Sequence, residues 1–351
     1  MTVDGLTLRI PMNTEHIRKF DHIPKVELHL HLEGAIPLDA LWILCQKYGG
    51  DPSVPDRASL EQRFAYKDFA HFIETWIWKN QFLREYEDFS FIAEHVAMDL
   101  VAQHVIYAEV FYSPPDFVRH GLRTQELTAA IRAGLARVPG IEIALIADLV
   151  RDSGAENAAV TLEEVNEVKD QGVIGIGIGG SEQAYPPEPF AAVFEKARQL
   201  GFHTTAHAGE AAGAASIWGA IRSLHVERVG HGTRAYEDET LLDFLAAQKI
   251  ALEMCPISNL RTGVIPRIVD HPIRRFCERG ILVTVNTDDP KMFGTSLARE
   301  YEILVHSLGF LPNEIPLLVE NAVRASWAPE FKKRDYVKRI RNCVILESPS
   351  V

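Results

Sequence analysis

The sequence feature that most constrains the fold is a series of eight short apolar runs, rich in β-branched residues, spread along the chain. Between most of them, apolar residues recur at every third and fourth position, which is typical of amphipathic helices. A repeated strand-then-helix pattern predicts a parallel sheet. The eight predicted strands are Lys25–Leu32, Ile106–Tyr112, Ile141–Leu149, Val173–Ile178, His203–Ala208, Arg228–His231, Ala251–Cys255 and Leu282–Thr287.

Eight strands that are apolar throughout favour a closed (β/α)₈ TIM barrel over an open sheet, because a closed barrel leaves no sheet edge to protect. We therefore predict an α/β fold with a single domain over the 351 residues, a length that α/β barrels commonly reach. The clearest helical patterns lie at Glu188–Leu200, Ser216–Leu224, Asp238–Gln248 and His271–Arg279.

The stretch from Ala35 to Val105 is too long for one crossover helix and contains many aromatic residues. We predict a helical insertion after the first strand, at roughly residues 35–105. In a barrel this connection lies on the face that carries active sites, so the segment could form a wall or lid over a pocket. Ordinary packing of its helices against the barrel explains most of these rings equally well.

The amino-acid composition argues against some classes of binding partner. A formal net charge of −12 repels nucleic-acid backbones and anionic lipid, and no stripe of Lys and Arg overrides it. The four cysteines are far apart and form no C-x-x-C pair. Neither a secretory signal nor a membrane-spanning apolar run is present at the N-terminus. We therefore predict a cytoplasmic protein without disulfides, whose partner is a small molecule rather than nucleic acid or membrane.

Two histidine motifs follow predicted strands one and five. His29 and His31 are two residues apart, so both imidazoles would face the same side of strand one and could chelate a metal. His207 is followed after a short turn by Glu210, and small residues between them leave room for a ligand. The alternatives are histidines buried in the core and a glutamate that caps the next helix.

Two further motifs follow strands six and eight. His231 stands between two glycines, which would expose its imidazole to a pocket, although a structural turn also uses glycine. Strand eight ends in the adjacent carboxylates Asp288 and Asp289. Two like charges at a strand end cost free energy unless a cation or substrate uses them. A turn with an Asp-capped helix is the alternative.

All four motifs lie at the carboxyl ends of barrel strands, which is the face where barrel enzymes place their active sites. His29, His31, His207 and Asp288 together supply nitrogen and oxygen ligands that suit one zinc ion and leave a position open for water. The pattern therefore predicts a zinc-dependent hydrolytic enzyme with one zinc ion per chain.

With these motifs in place, the chain resembles the adenosine deaminase family of the amidohydrolase barrels. The matching segments span most of the chain, although the H-x-H motif alone is shared with metal-dependent phosphoesterases. They are PKVELHLHLEG at Pro24–Gly34, TAHAGE at Thr205–Glu210, RVGHG at Arg228–Gly232, EMCPISN at Glu253–Asn259 and NTDDP at Asn286–Pro290.

The resemblance implies a role for each site residue. It assigns the zinc ligands to the three histidines and the aspartate named above, and it gives His231 the task of orienting the attacking hydroxide beside Asp288. Glu210, protonated, would donate to purine N1 as hydroxide attacks C6, which requires a raised pKa. Asp289 would hydrogen-bond N7, and the backbone of Gly180 would contact N3.

Two departures from the family bear on the substrate. Glu33 stands where many adenosine deaminases have the Asp that contacts the ribose 5′-hydroxyl, and the HLEG form resembles the adenine-deaminase branches. Gly177 stands where the adenosine enzymes usually have Asp. We predict adenosine as the substrate, with free adenine or a 5′-modified nucleoside such as aminodeoxyfutalosine as the alternative.

Two other classes of protein fit less well. A metal-dependent phosphoesterase usually needs several metals and a cationic patch for phosphate, which the segment around His207 lacks. A scaffold protein with an inactive barrel should have lost a ligand, and the predicted set is intact.

Overall fold

The computed structural model describes residues 20–66 and 69–347. In this part of the chain, eight parallel strands form one sheet whose order follows the sequence. They are β1 (Lys25–His31), β2 (Val105–Tyr112), β3 (Glu142–Asp148), β4 (Val173–Gly177), β5 (His203–Ala208), β6 (Arg228–His231), β7 (Ala251–Met254) and β8 (Val283–Val285).

The first and last strands meet just beyond the end of β8. The His31 N–H donates to the Asp288 carbonyl and the Asp288 N–H donates to the His29 carbonyl, each at 2.9 Å. Leu30 and Asp288 form an isolated parallel bridge. The sheet is therefore nearly closed, and the predicted (β/α)₈ barrel is confirmed.

The helices surround this sheet, and short 3₁₀ turns such as Pro114–His120 join some of the elements. They are α1 (Leu38–Lys47), α2 (Arg57–Arg63), α3 (Phe69–Asn80), α4 (Tyr86–Ala102), α5 (Thr124–Leu135), α6 (Gly154–Glu167), α7 (Ala191–Gln199), α8 (Ala214–Arg222), α9 (Glu239–Gln248), α10 (Pro256–Arg261), α11 (Ile273–Glu278), α12 (Pro290–Phe293), α13 (Leu297–Ser307), α14 (Ile315–Ala325) and α15 (Glu330–Glu347).

The observed elements agree closely with the predicted ones. β5 and β6 have the predicted bounds, and the other strands differ by at most two residues at either end. The pattern at Glu188–Leu200 begins as a 3₁₀ turn, Glu188–Phe190, before α7. The predicted insertion contains α1 to α4, of which α4 leads directly into β2 as the crossover helix.

The strands are buried on both faces, as their apolar sequences require. Every residue of β1 and β2 is buried, and the apolar side chains of the barrel and its helices form one continuous hydrophobic cluster. Among residues 20–66 and 69–347, no helix combines the length and apolar character needed to cross a membrane.

Candidate active site

The four side chains predicted as zinc ligands meet at the carboxyl ends of the strands. His31 Nε2 lies 3.1 Å from His207 Nε2 and 3.3 Å from Asp288 Oδ1, and His29 Nε2 lies 3.6 Å from the same carboxylate oxygen. His231 also belongs to this cluster. Four ligand atoms lie within 4.8 Å of one another, one each from His29, His207, His231 and Asp288. Alternation along β1 turns both of its histidines to one face, and parallel strands bring the remaining groups to the same rim.

On the side that faces away from the cluster, the His29 ring contacts the first of two linked, buried charged side chains. His29 Nδ1 lies 2.8 Å from Glu253 Oε2, and Arg228 Nε donates to Glu253 Oε1 at 2.5 Å. Burial opposes ionisation of Glu253, but Arg228 and His29 outweigh it and hold its pKa below the usual range. The Glu253 carboxylate therefore accepts a hydrogen bond from the His29 Nδ1–H, and this orients His29 Nε2 toward the cluster. A carboxylate behind an imidazole in this way is typical of a metal ligand.

The protonation states of the imidazoles also fit a cation site. His29 Nε2 is buried and has no hydrogen-bond partner among the described residues. Burial disfavours its charged ring, yet Asp288 and Glu253 outweigh this and raise its pKa to about 10, so the two carboxylates favour a positive charge at this position. Burial lowers the pKa of His31, and burial with the neighbouring imidazoles holds that of His207 well below its ordinary value. Neutral nitrogens and a carboxylate suit a divalent metal such as zinc.

His231 presents a proton donor to the same space. Burial lowers its pKa to about 3, so its ring is neutral at pH 7. Its Nδ1 lies 3.2 Å from the amide nitrogen of Asn259, whose carbonyl oxygen accepts from Thr233 Oγ1 at 2.7 Å. This orientation of the amide leaves the ring proton on Nε2. That atom lies 3.5 Å from Glu210 Oε2 and 3.9 Å from Asp288 Oδ2.

Glu210 is placed to hold a proton at neutral pH. Burial, reinforced by Asp288 and Glu182, raises its pKa to about 8. The turn that carries it is fixed by Glu182, whose carboxylate accepts the backbone N–H groups of Gly209 at 2.5 Å, Glu210 at 3.1 Å and Ala212 at 2.8 Å. A protonated carboxyl on a rigid turn can act as a general acid toward a bound ligand.

Asp289 and Gly180 both line the cavity in front of the cluster. Asp289 Oδ1 is buried without a partner among the described residues, and burial followed by the charge of Asp288 raises the pKa of Asp289 well above its ordinary value. A Cβ at Gly34 would lie only 1.6 Å from that oxygen, so glycine is needed there. Gly180 has a φ of +100°, which also favours glycine and brings its backbone to the cavity.

Glu33 is the predicted site residue that lies elsewhere. It is fully buried and is not part of the described lining of the cavity. Its Oε1 accepts the Ser113 N–H at 3.1 Å, and its Oε2 has no partner among the described residues. Burial, partly offset by Lys79, raises its pKa to about 7. Glu33 thus lies behind Ser113, and this placement does not support direct contact with a ligand.

The cavity has a volume of about 300 Å³. Helix α3 forms one wall, where Trp76 Nε1 donates to Asp116 Oδ2 at 3.3 Å and so ties the helix to the 3₁₀ turn after β2. Helix α3 of the insertion therefore contributes a wall of the cavity. The lining residues are His31, Phe72, Ile73, Trp76, Ile77, Asn80, Ser113, Asp116, Arg119, Asp148, Val150, Asp152, Gly179, Gly180, Ser181, His207, Glu210, His231, Thr262, Asp288, Asp289 and Phe293.

Several residues that support the site carried no assigned role in the sequence analysis. Glu253 and Asn259 hold His29 and His231, and Ser258 Oγ donates to Asp288 Oδ2 at 2.6 Å. All three lie in the EMCPISN segment, which was recognised only as a motif. A glutamate in the middle of the apolar run of β7 was the available signal, since a buried charge needs a partner.

Comparison with known proteins agrees with this geometry. The model of the family described as adenosine deaminase matches residues 24–343. An adenine deaminase from Rhizobium leguminosarum is 35% identical over 322 residues, which cover 91% of this chain and 99% of that protein. An aminodeoxyfutalosine deaminase from Streptomyces avermitilis is 34% identical over 311 residues, covering 87% of each chain.

Two solved structures share the whole architecture. Adenine deaminase from Arthrobacter aurescens is 28% identical with a TM-score of 0.86, over 92% of this chain and 99% of that one. An amidohydrolase from Burkholderia ambifaria with bound Zn is 27% identical with a TM-score of 0.86, over 98% of both chains. The chain therefore belongs to the adenosine deaminase family within the amidohydrolase superfamily, and it is a purine deaminase.

Proposed function

We propose that the protein catalyses zinc-dependent hydrolytic deamination at C6 of a 6-aminopurine. The observation that carries this proposal is the convergence of three histidines, Asp288 and Glu210 at one buried site, where the pKa of Glu210 is raised to about 8. The zinc ion would be held by His29, His31, His207 and Asp288. When bound there, zinc supplies a water that ionises near neutral pH.

The remaining side chains divide the proton transfers between them. Glu210 holds the proton that passes to purine N1 while water adds at C6, and its fixed turn keeps that proton in place. His231, with its proton on Nε2, orients the attacking water beside Asp288. Asp289 would bind N7 and the Gly180 backbone N3. The amino group leaves as ammonia with one proton of the attacking water, and the other proton of that water restores Glu210. A 6-oxopurine remains, so water and aminopurine give oxopurine and ammonia.

The deaminases reported above are named for adenine or aminodeoxyfutalosine, and not for adenosine, the substrate predicted first. Their names favour the alternative, free adenine or a 5′-modified nucleoside such as aminodeoxyfutalosine. The placement of Glu33 supports this revision, because a ribose 5′-hydroxyl would find no carboxylate from Glu33 in the cavity. A binding site built to hydrogen-bond a hydroxyl normally provides that partner.

Between free adenine and a 5′-modified nucleoside, the volume and the apolar rim of the cavity favour the modified nucleoside. Its volume of about 300 Å³ is in the range of sites that enclose drug-sized ligands, and free adenine is smaller than such ligands. At the rim, Ile73 and Ile77 of α3 are 38% and 51% exposed and also line the cavity. An apolar group at the 5′ position would remove these side chains from water.

A phosphoesterase is disfavoured by the charges around the cavity. Arg119 is the only Lys or Arg among the described lining residues, whereas the acids include Asp148, Asp152 and Asp288, besides Glu210 and Asp289 with their raised pKa values. Such a surface repels phosphate. One group of possible metal ligands is found among the described residues, whereas phosphoesterases usually need several metals.

We propose a small neutral purine as the partner, rather than nucleic acid, in a cytoplasmic enzyme.

The test is ammonia release by the zinc-loaded protein on adenine, adenosine, 5′-deoxyadenosine and 5′-methylthioadenosine. We expect the apolar 5′-methylthio nucleoside to exceed adenosine in kcat/KM by roughly tenfold, the scale of adding one or two buried apolar groups. Ile77→Asn, a polar change of similar size at the rim, should reduce that preference while leaving adenosine turnover unchanged. Turnover of free adenine alone would overturn the ranking, and no ammonia from any purine would overturn the function.

A further inference from the structure

The imidazoles of His29 and His207 are supported differently on the sides that face away from the cluster. His29 Nδ1 has the Glu253 carboxylate at 2.8 Å. His207 Nδ1 is buried and has no hydrogen-bond partner in the part of the chain that the structure describes. Histidines that bind a metal nearly always donate their second ring N–H to a carboxylate, a carbonyl or water, which fixes the orientation of the ring. His207 therefore needs a partner in the metal-loaded protein.

Asp148, the last residue of β3, offers one unused carboxylate oxygen beside this ring. The side chain is only 4% exposed, and it lines the cavity. Its Oδ1 accepts the Val150 N–H at 2.9 Å and the Gly179 N–H at 2.8 Å, which holds the carboxylate in one orientation. No described residue donates to Oδ2, so this oxygen is free to accept a proton donor.

Gly179 leaves open the space that both atoms border. A Cβ at this position would lie 2.6 Å from Asp148 Oδ2 and 3.4 Å from His207 Nδ1. A side chain here would collide with the carboxylate and would stand next to the imidazole nitrogen. Asp148 Oδ2 and His207 Nδ1 are not hydrogen-bonded to each other in the structure. The absence of a side chain at residue 179 leaves the space in which the two atoms can meet.

The position of Asp148 also accounts for a departure seen in the sequence. In the β3–β4 register, Asp148 is paired with Gly177, which stands where the adenosine enzymes usually have Asp. A Cβ at Gly177 would lie 2.6 Å from Phe111 Cε1, so β4 cannot carry an acid unless Phe111 moves. The acid comes from the neighbouring strand, at the same level of the barrel.

We propose that Asp148 is a positioning residue whose carboxylate accepts a hydrogen bond from the Nδ1–H of His207 in the space above Gly179, so that Nε2 is presented to the metal. This inference rests on the proposed function, in which His207 is a zinc ligand. In this role Asp148 acts through His207 and not directly on the metal or the reacting atoms. It supports His207 as Glu253 supports His29.

The test is the affinity of the metal-free protein for zinc, measured by competition with a chromophoric chelator. In Asp148→Asn, Oδ1 can still accept both backbone N–H groups, but an amide NH₂ replaces Oδ2 and cannot accept from His207. We expect zinc affinity to fall by roughly 10- to 100-fold, the range found when such supporting groups are removed. Gly179→Ala, which retains both groups and fills the space between them, should weaken zinc binding in the same way.

Asp152→Asn is the matched control, because it removes one negative charge from the same cavity. Both Asp152 oxygens already accept hydrogen bonds from Ser181, one from its N–H and one from its hydroxyl. Its zinc affinity should stay within about twofold of the wild type, since it supports no proposed ligand. Unchanged zinc binding in Asp148→Asn, or an equal loss in both variants, would overturn the inference.

The zinc-loaded protein provides a second measurement that does not depend on metal affinity. In the zinc-loaded protein with ¹⁵N-labelled histidine, the His207 Nδ1–H proton should be observed and protected from exchange, and it should shift in Asp148→Asn. Zinc bound through His207 Nδ1 would contradict Asp148 as its partner but leave the proposed function standing. A wild-type protein that binds no zinc would contradict both.

Discussion

Glu210→Gln is expected to fold and to bind zinc but to lower kcat/KM by roughly 100-fold or more, the scale of losing a general acid. Burial and two neighbouring carboxylates raise the pKa of Glu210 to about 8, so the native side chain carries a proton at pH 7. An amide is similar in size but cannot deliver a proton to N1. The measurement is ammonia release under saturating zinc, with metal content determined on the same sample.

The control for this prediction is Glu163→Gln on α6, where the carboxylate side chain is 60% exposed and remote from the cavity. It should have wild-type activity and zinc content. If Glu210→Gln deaminates at the wild-type rate, Glu210 serves only to complete the turn after β5. In that case the proton must come from another group.

His207→Ala is expected to lose zinc and activity together. The variant removes a nitrogen from the centre of a cluster whose other members remain, and a site with one ligand fewer binds zinc far more weakly. Activity should fall to the level of the metal-free wild-type protein. Metal analysis after gel filtration and ammonia release on the best purine measure the two effects separately.

His95→Ala is the matched histidine control, because His95 lies on α4 and bonds only its own helix, through the Phe91 carbonyl. It should retain zinc and turnover. A metal-free His207→Ala protein with near-normal turnover would remove His207 from the ligand set and, with it, the proposed chemistry.

The fold was predictable because a parallel barrel buries both faces of its strands. Such strands appear in the sequence as continuous apolar runs, and their number and spacing leave few architectures open. The convergence of His29, His31, His207 and Asp288 followed from the same pattern, since the carboxyl ends of parallel strands share one rim. Those predictions needed only the order of elements and the alternation of side chains along a strand.

The contacts between side chains on different elements could not be predicted in this way. Glu33 follows β1 on the correct rim, but the Ser113 backbone lies over it and Lys79 from α3 compensates its burial, which depends on how the insertion packs. The pairing of His29 with Glu253 depends on the side chains that face each other across the barrel interior. Asp148 has no motif of its own, and its position next to Gly179 appears only in the folded chain.

Zinc-dependent deamination of a 6-aminopurine can be tested by titrating the metal-free wild-type protein with zinc. Ammonia release is followed on the purine panel during the titration. We expect activity to rise linearly and to stop rising at about one zinc ion per chain, with one 6-oxopurine formed for each ammonia released. The proposed function would be contradicted by a metal-free protein that is fully active, or by a protein that binds one zinc ion per chain and releases no ammonia from any 6-aminopurine.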